Sequence, residues 1–300
     1  MNKAGNKMKG IILAITGAVF WGGSGVSAQY IMQEKGVETS WLVSVRILFA
    51  GILILCYLYG TEKRQVFAIL KNKKDLLGTF IFSFFGVILL QYSFFKAIEV
   101  SNAATATILQ YLSPIFIVIY LIFESKKIPS KMSMLSIALS LFGTALLVTK
   151  GDFTTLSMSP MGLFWGLGAG LFGAFYIIQP RKLMATYGTT TIIGWGMLMG
   201  GLMYQLYHPV WKDVPKLDGV TIALISFIVV FGTIFSYICL LKSTRYIPAQ
   251  FSSLLTSFEP LSSALFSFLF LNAIILPIEI LSMGIIIFSV FLLSRSQDNE

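Results

Sequence analysis

The sequence predicts an all-α membrane protein of ten transmembrane helices, arranged as two inverted five-helix repeats. Three observations carry that prediction. The 300 residues are 56% hydrophobic and only 12% charged, and their mean hydropathy is +0.82; a soluble domain carries about 25% charged residues to wet its surface. The apolar residues fall into ten runs, each near the length of about 20 residues that crosses a bilayer. The residue order of the first five runs returns in the second five. Such a composition excludes an ordinary cytosolic enzyme, a disordered regulator and a disulfide scaffold. Ten helices also leave only short loops and tails, with no chain for a soluble domain.

The runs lie near residues 10–31, 41–60, 76–98, 102–123, 132–149, 161–179, 190–208, 219–242, 248–271 and 275–293, each bounded by charges or turn residues. They are continuous rather than alternating at every second residue, which excludes a β-barrel. The basic start followed by an apolar run looks superficially like a signal peptide. No Ala-x-Ala site closes it, however, and it reads as the first span. The shortest turns are expected around Ser101, between the third and fourth spans, and around Asn272, between the ninth and tenth. Cys56 and Cys239 both sit in apolar runs and read as small buried hydrophobes. His208 stands at a helix end beside Pro209, and the sequence shows no metal-ligand spacing.

Lysine and arginine placement sets the orientation. With the amino terminus cytoplasmic, 16 of the 22 basic residues fall in cytoplasmic segments, among them Lys63, Arg64, Lys71, Lys73 and Lys74. Five fall outside: Lys35, Lys96, Lys150, Lys212 and Lys216. Both termini are therefore expected in the cytoplasm of a cell-membrane protein. The net charge of +9 belongs to its loops, and no nucleic-acid partner is implied.

The repeat appears at two offsets. A shift of 152 residues pairs Gly10 with Gly162, Phe20 with Phe172 and Gly36 with Gly188. A shift of 146 pairs Phe85-Gly86 with Phe231-Gly232, Lys96 with Lys242, Gln91 with Tyr237 and Pro114 with Pro260. Residues 1–153 and 154–300 are thus the expected halves. Five spans is an odd number, so the second half enters the membrane from the opposite side. The loop charges agree: acidic Gln33-Glu34-Lys35-Gly36-Val37-Glu38 has a basic counterpart carrying Arg181-Lys182. Inverted repeats of this kind are an architecture of alternating-access transporters, whose sites lie near midplane at the repeat interface.

With these residues in view, the chain resembles the EamA-type, ten-helix branch of the drug/metabolite transporter superfamily. The stretches that carry the resemblance are AVFWGGSGVSAQY (18–30), KAIEVSNAATATILQYLSPIF (96–116) and KSTRYIPAQFSSLLTSFEPLSSALFSFLFL (242–271). In that family a short turn leads into small residues and then a proline, here Ser113-Pro114 and Glu259-Pro260. One departure is Leu271-Asn272, where the family often places a glutamate that Glu124 supplies in the first half. The resemblance implies that the first, third, fourth, sixth, eighth and ninth spans line a central cavity.

Glu259 is the most informative residue. About 1.5 Å per residue from Pro248 puts it roughly 16 Å inward, where a carboxylate is costly and faces a cavity or a partner. Three readings stay open: it satisfies backbone opened by Pro260, it couples transport to protons, or it contacts a substrate amine. Gln110, with Thr107 and Tyr111 within a turn, Gln91, Tyr237, Trp21 with Ser24, and Trp165 with Tyr176 add polar and aromatic groups at similar depth. The candidate substrate-binding set is therefore Trp21, Gln91, Gln110, Tyr111, Trp165, Tyr176, Tyr237 and Glu259. Each taken singly also reads as an interhelical hydrogen bond or packing residue. Arg46, about five residues inside the second span, reads as snorkelling to the outer interface; its alternatives are a substrate carboxylate or a pair with Glu34 or Glu38. The fifth and tenth spans read as lipid-facing supports.

No intramembrane serine-histidine pair, no paired membrane aspartates and no nucleotide-binding loop are present. The expectation is a secondary active transporter, not an enzyme and without a cofactor, that moves small organic metabolites such as amino acids or amines. The resemblance leans toward export. A passive channel or a lipid scramblase is the alternative. The expected partners are a small-molecule substrate, a proton as candidate coupling ion and the lipid bilayer, with the chain acting as a monomer.

Overall fold

A computed structural model describes residues 3–125, 130–152, 158–247, 252 and 255–297. Among them every regular element is helical. In chain order these are α1 (Lys3–Gln33), α2 (Thr39–Glu62), a 3₁₀ segment (Lys63–Lys71), α3 (Lys73–Ile81), α4 (Leu89–Val100), α5 (Ala103–Gln110), α6 (Ser113–Ser125) and α7 (Lys131–Thr149). The second half holds α8 (Pro160–Ile178), α9 (Arg181–Tyr187), α10 (Thr189–Tyr207), α11 (Gly219–Val229), α12 (Ser236–Ser243), α13 (Phe258–Leu271) and α14 (Pro277–Gln297).

Among the described residues, six stretches are long and apolar enough to cross a membrane: Lys7–Gln33, Thr39–Thr61, Lys73–Val100, Ala103–Tyr120, Pro160–Ile178 and Gly219–Leu240. Met134–Leu147, Phe258–Leu271 and Pro277–Leu292 are shorter apolar helices. α10 dilutes its apolar content with glycines because it lies against α2. A Cβ added at Gly51 would come 2.4 Å from the Leu198 backbone nitrogen, and one at Gly201 2.6 Å from Leu48 Cα. Small residues let two backbones approach in this way where lipid gives helices no hydrophobic reason to associate.

The helix partnerships come in matched sets. α2 packs on α10, the second run of one half on the second of the other, and α7 packs on α14, fifth on fifth. α4 packs on α8 as α12 packs on α1, and α5 and α6 pack on α8 as α13 packs on α1. The connections also sort into two groups. Lys35 pairs with Asp218 at 2.8 Å, Trp41 donates to the Val210 carbonyl at 2.9 Å, Gln33 donates to the Ser101 carbonyl at 3.1 Å, and Lys150 pairs with Glu279 at 3.4 Å. These are the loops that the charge pattern assigns to the outer face. Loops assigned to the inner face meet one another as well: the Tyr187 hydroxyl donates to Asp75 at 2.7 Å, and Lys9 lies 5.1 Å over the Tyr246 ring.

Four features depart from the sequence reading. The fourth run is not one helix but breaks at Tyr111-Leu112, between α5 and α6. The third and eighth runs each contain a π-helical turn, Phe82–Ile88 and Val230–Phe235, and both include the Phe-Gly pair matched by the 146-residue offset. Cys56 is exposed on the outside of the bundle, whereas Cys239 is buried. α7 and α14 pack on each other and bury Ser136, Ser140, Ser282 and Ser289, so they are not purely apolar supports. The Ser136 and Ser282 hydroxyls donate to carbonyls of their own helices at 2.9 and 2.6 Å, which hides them from an apolar tally. The expected boundary between halves, at 153/154, and the start of the ninth run at Pro248 lie outside the described residues.

Candidate functional site

A cavity of about 340 Å³ opens where the interrupted helices meet. Residues of two helix breaks line it, and proline chemistry explains both breaks. Proline has no N–H, so the carbonyl four residues before it loses its helical donor. Before Pro114 that carbonyl is Gln110, and the Ser113 hydroxyl donates to it at 2.7 Å. Before Pro260 it is Thr256, whose carbonyl accepts from the Glu259 backbone N–H at 2.9 Å. Gln110 and Thr256, and Ser113 and Glu259, are equivalent under the 146-residue offset. The Tyr111 hydroxyl is hydrogen-bonded to Thr256 and Ser257, which ties one break to the other.

The helices that lean on the breaks carry glycine at the contact. A Cβ at Gly173 of α8 would lie 2.4 Å from Ser113 Oγ, and one at Gly22 of α1 would lie 2.2 Å from Ser262 Oγ and 2.7 Å from the Glu259 carbonyl. On α5, Asn102 caps the first turn by accepting from the Thr105 N–H at 2.8 Å, and Gln29 of α1 accepts from the Ala103 N–H at 2.8 Å. α5 is thereby aimed with Thr107 and Gln110 toward the cavity.

Of the residues singled out from sequence, Trp21, Gln91, Gln110, Tyr111, Tyr176, Tyr237 and Glu259 share this one cavity, with Ser24 and Thr107 beside them. Tyr176 and Tyr237 join their hydroxyls at 2.9 Å, and the Trp21 ring stands edge-on to Tyr237 at 5.4 Å. Trp165 is not among the lining residues; it packs edge-on against Tyr92 at 5.3 Å. Leu90, Phe94, Ile177, Leu240 and Val290 supply apolar wall. α2 and α14 thus contribute to the lining beyond the six spans expected to do so.

Arg46 is the main correction. It does not snorkel: it is 7% exposed and lines the cavity. Its Nε donates to Thr233 Oγ1 at 2.9 Å, one terminal nitrogen to Gln91 Oε1 at 3.0 Å, and the other to the Gly232 carbonyl at 3.3 Å. The Phe95 ring lies 4.8 Å beneath the guanidinium. The π turn of the eighth run presents Gly232 and Thr233 here, because its wider winding shifts the local hydrogen-bond pattern. Helix α2 also begins earlier than its apolar run, at Thr39, which carries Arg46 deeper than the sequence count placed it. Depth counted from hydropathy was the wrong signal. The useful one was Phe231-Gly232, a repeat-matched glycine at which the backbone turns its carbonyl toward a partner.

Away from the cavity, Glu38, His208 and Asp213 bring ligand atoms within 4.8 Å of one another, a cluster that linear spacing conceals. His208 lies 3.3 Å from Asp213 and helps hold the loop after α10. The cavity itself offers one guanidinium, one carboxylate, two amides, several hydroxyls and aromatic faces, which suits reversible binding of a small polar solute.

Known proteins place this geometry in a family. The EamA-like transporter family matches residues 8–149 and again 160–295, once in each half. The chain is 39% identical over 290 residues to the uncharacterized inner membrane transporter YicL of Salmonella typhimurium, covering 97% of this chain and 96% of that one. It is 25% identical over 217 residues to the threonine/homoserine exporter RhtA of Escherichia coli K12, covering 68% of this chain and 67% of that one. A solved crystal structure shares the fold with a TM-score of 0.63 at 13% identity, over 96% of this chain and 98% of that one. The protein is a membrane transporter of the EamA-like family, within the drug/metabolite transporter superfamily.

Proposed function

We propose that this transporter is a secondary active carrier that exports small organic metabolites, amino acids or amines, by alternating access between two inverted five-helix halves. In this reading the chain crosses the membrane ten times with both termini in the cytoplasm. The observation that carries it is the cavity built on two repeat-equivalent helix breaks. Interrupted helices at a repeat interface are where such carriers bind substrate. Matched helix partnerships and two self-contacting groups of loops support the inversion. The threonine and homoserine export for which RhtA is named supports the amino-acid class.

Trp21, Gln91, Gln110, Tyr111, Tyr176, Tyr237 and Glu259 form the substrate-binding wall, and Glu259 is the coupling residue. A carrier of this kind exchanges its substrate faster than it translocates empty. Proteoliposomes loaded with unlabelled amino acids and diluted into tracer should therefore accumulate label transiently, with saturation in external substrate. Non-saturable equilibration with no overshoot would instead describe a channel.

A further inference from the structure

The cavity holds a basic and an acidic side chain that it keeps apart. Arg46 and Glu259 both line it, and each lies within the other's electrostatic reach. Yet among the described residues no ion pair joins them. Arg46 spends three of its five N–H donors on Thr233, Gln91 and the Gly232 carbonyl, all neutral acceptors. One N–H remains on each terminal nitrogen. The neutral partners fix the fork without neutralising it, so the guanidinium still lacks a bound anion. At the acidic end, Glu259 sits beside the break before Pro260, close to Tyr111 and Tyr237. Tyr237 is near both groups; its hydroxyl is held by Tyr176 and its ring stands edge-on to Trp21. It is thus a cavity-lining tyrosine that neighbours both groups.

We propose that Arg46 and Glu259 divide recognition of a zwitterion: Arg46 takes the α-carboxylate, Glu259 takes the α-ammonium, and the ring of Tyr237 packs against the carbon that bears both. This rests on the carrier reading above and narrows its substrate class to neutral α-amino acids, excluding simple amines. A lone amine leaves the buried guanidinium without an anion, and a lone carboxylic acid leaves Glu259 without a cation. Burying an unmatched charge costs more than a matched pair returns. Only a solute with both groups satisfies both ends. About 340 Å³ admits an amino acid of modest side chain, at the small end of ligand cavities, which run from about 300 Å³ upward. Gln110, Thr107 and Ser24 are the polar groups left to meet that side chain.

The test measures counterflow in proteoliposomes with no ion gradient, so that coupling does not enter. Tracer L-threonine, L-leucine and L-glutamine are used with wild type, and the best of them is challenged with its own decarboxylated amine and its deaminated acid. For threonine these are 1-amino-2-propanol and 3-hydroxybutyrate. Wild type should be inhibited by the amino acid at least about tenfold more strongly than by either fragment, the difference one charge-assisted hydrogen bond makes. Arg46→Gln should abolish inhibition by the acid while sparing the amine, and Glu259→Gln should do the reverse. Because each comparison is a ratio within one preparation, partial misfolding cancels. Arg46→Lys keeps the charge but loses the fork, and should keep the acid-over-amine order with weaker affinity. If wild type shows counterflow with none of the three tracers, the amino-acid carrier reading itself fails. If wild type shows counterflow but both variants lose affinity for acid and amine alike, the divided recognition is wrong.

Discussion

At the residue scale the two breaks and the two charges do different work. Glu259 supplies a backbone N–H to the carbonyl that Pro260 leaves free, and a carboxylate to the cavity. Replacing it with glutamine keeps the first and removes the titrating group from the second. Glu259→Gln should lose accumulation driven by a proton gradient yet retain pH-insensitive exchange at saturating substrate. Unchanged accumulation would exclude coupling. The glycines at the breaks give a sharper structural prediction. Gly22→Ala puts a methyl 2.2 Å from Ser262 Oγ and 2.7 Å from the Glu259 carbonyl, and Gly173→Ala puts one 2.4 Å from Ser113 Oγ. Each should destabilise by about 1–3 kcal/mol through overpacking. Gly60→Ala, which meets nothing within 4 Å, should stabilise slightly, because alanine is the better helix former. Thermal unfolding in detergent checks the order; equal shifts for all three would contradict these contacts.

Individual residues also show what a sequence can and cannot reveal. Gln110, Tyr237 and Glu259 were legible because a polar group deep in an apolar run demands a partner. Trp165 satisfied the same rule and landed elsewhere: helical periodicity did not tell which side of α8 meets Gly173's neighbours and which meets Tyr92. Arg46 was not legible in the same way, because its depth depends on where α2 begins and two of its partners lie in a π turn, and hydropathy reports neither.

At the element scale, most run boundaries among the described residues were legible within a few residues because charges and turn residues end helices. α1, however, begins at Lys3, seven residues before its apolar run, and changes within a helix were not legible. The 3₁₀ segment Lys63–Lys71 buries Val66 and Ile69 under the bundle, and a loop-like composition hides it. The clasp between outer loops makes an element-scale prediction. Asp218 caps α11 by accepting from the Thr221 N–H at 2.8 Å and pairs with Lys35 at 2.8 Å. The Lys35 ammonium first, then the Thr221 N–H, holds the Asp218 carboxyl below its ordinary value of 3.8, and the same hydrogen bond raises Lys35 above 10.5. A depressed acid contributes above its unfolded value and loses its contribution as pH falls through the folded one; a raised base contributes below its unfolded value and loses it as pH rises through the folded one. The clasp is therefore complete from about pH 4 to pH 10, the window these ordinary values bound. Asp218→Asn should change transport rate without changing the shape of its pH profile between pH 5 and 8. A profile shifted in the variant would place a coupling group at the loops.

At the scale of the whole molecule, the proposed carrier cycle depends on inversion. Residue identities in the two halves are few, yet the π turns and the breaks before proline recur at matched places. Geometry that two sequences must both satisfy outlasts the side chains that satisfy it, so the repeat was legible at Phe-Gly and proline positions and faint between them. In a cysteine-free background lacking Cys56 and Cys239, cysteines at Lys71 and Lys127 should be labelled only from the cytoplasm, and one at Lys212 only from outside. Labelling of Lys71 and Lys212 from the same face would remove both the ten crossings and the inversion. The most direct measurement of alternating access uses the same background with Gln110→Cys, at the first break on the cavity wall. A membrane-impermeant maleimide should reach it from either face in separate experiments, and saturating substrate should slow both reactions. Labelling from one face only, at a rate that substrate leaves unchanged, would contradict a shared cavity that opens to each side in turn.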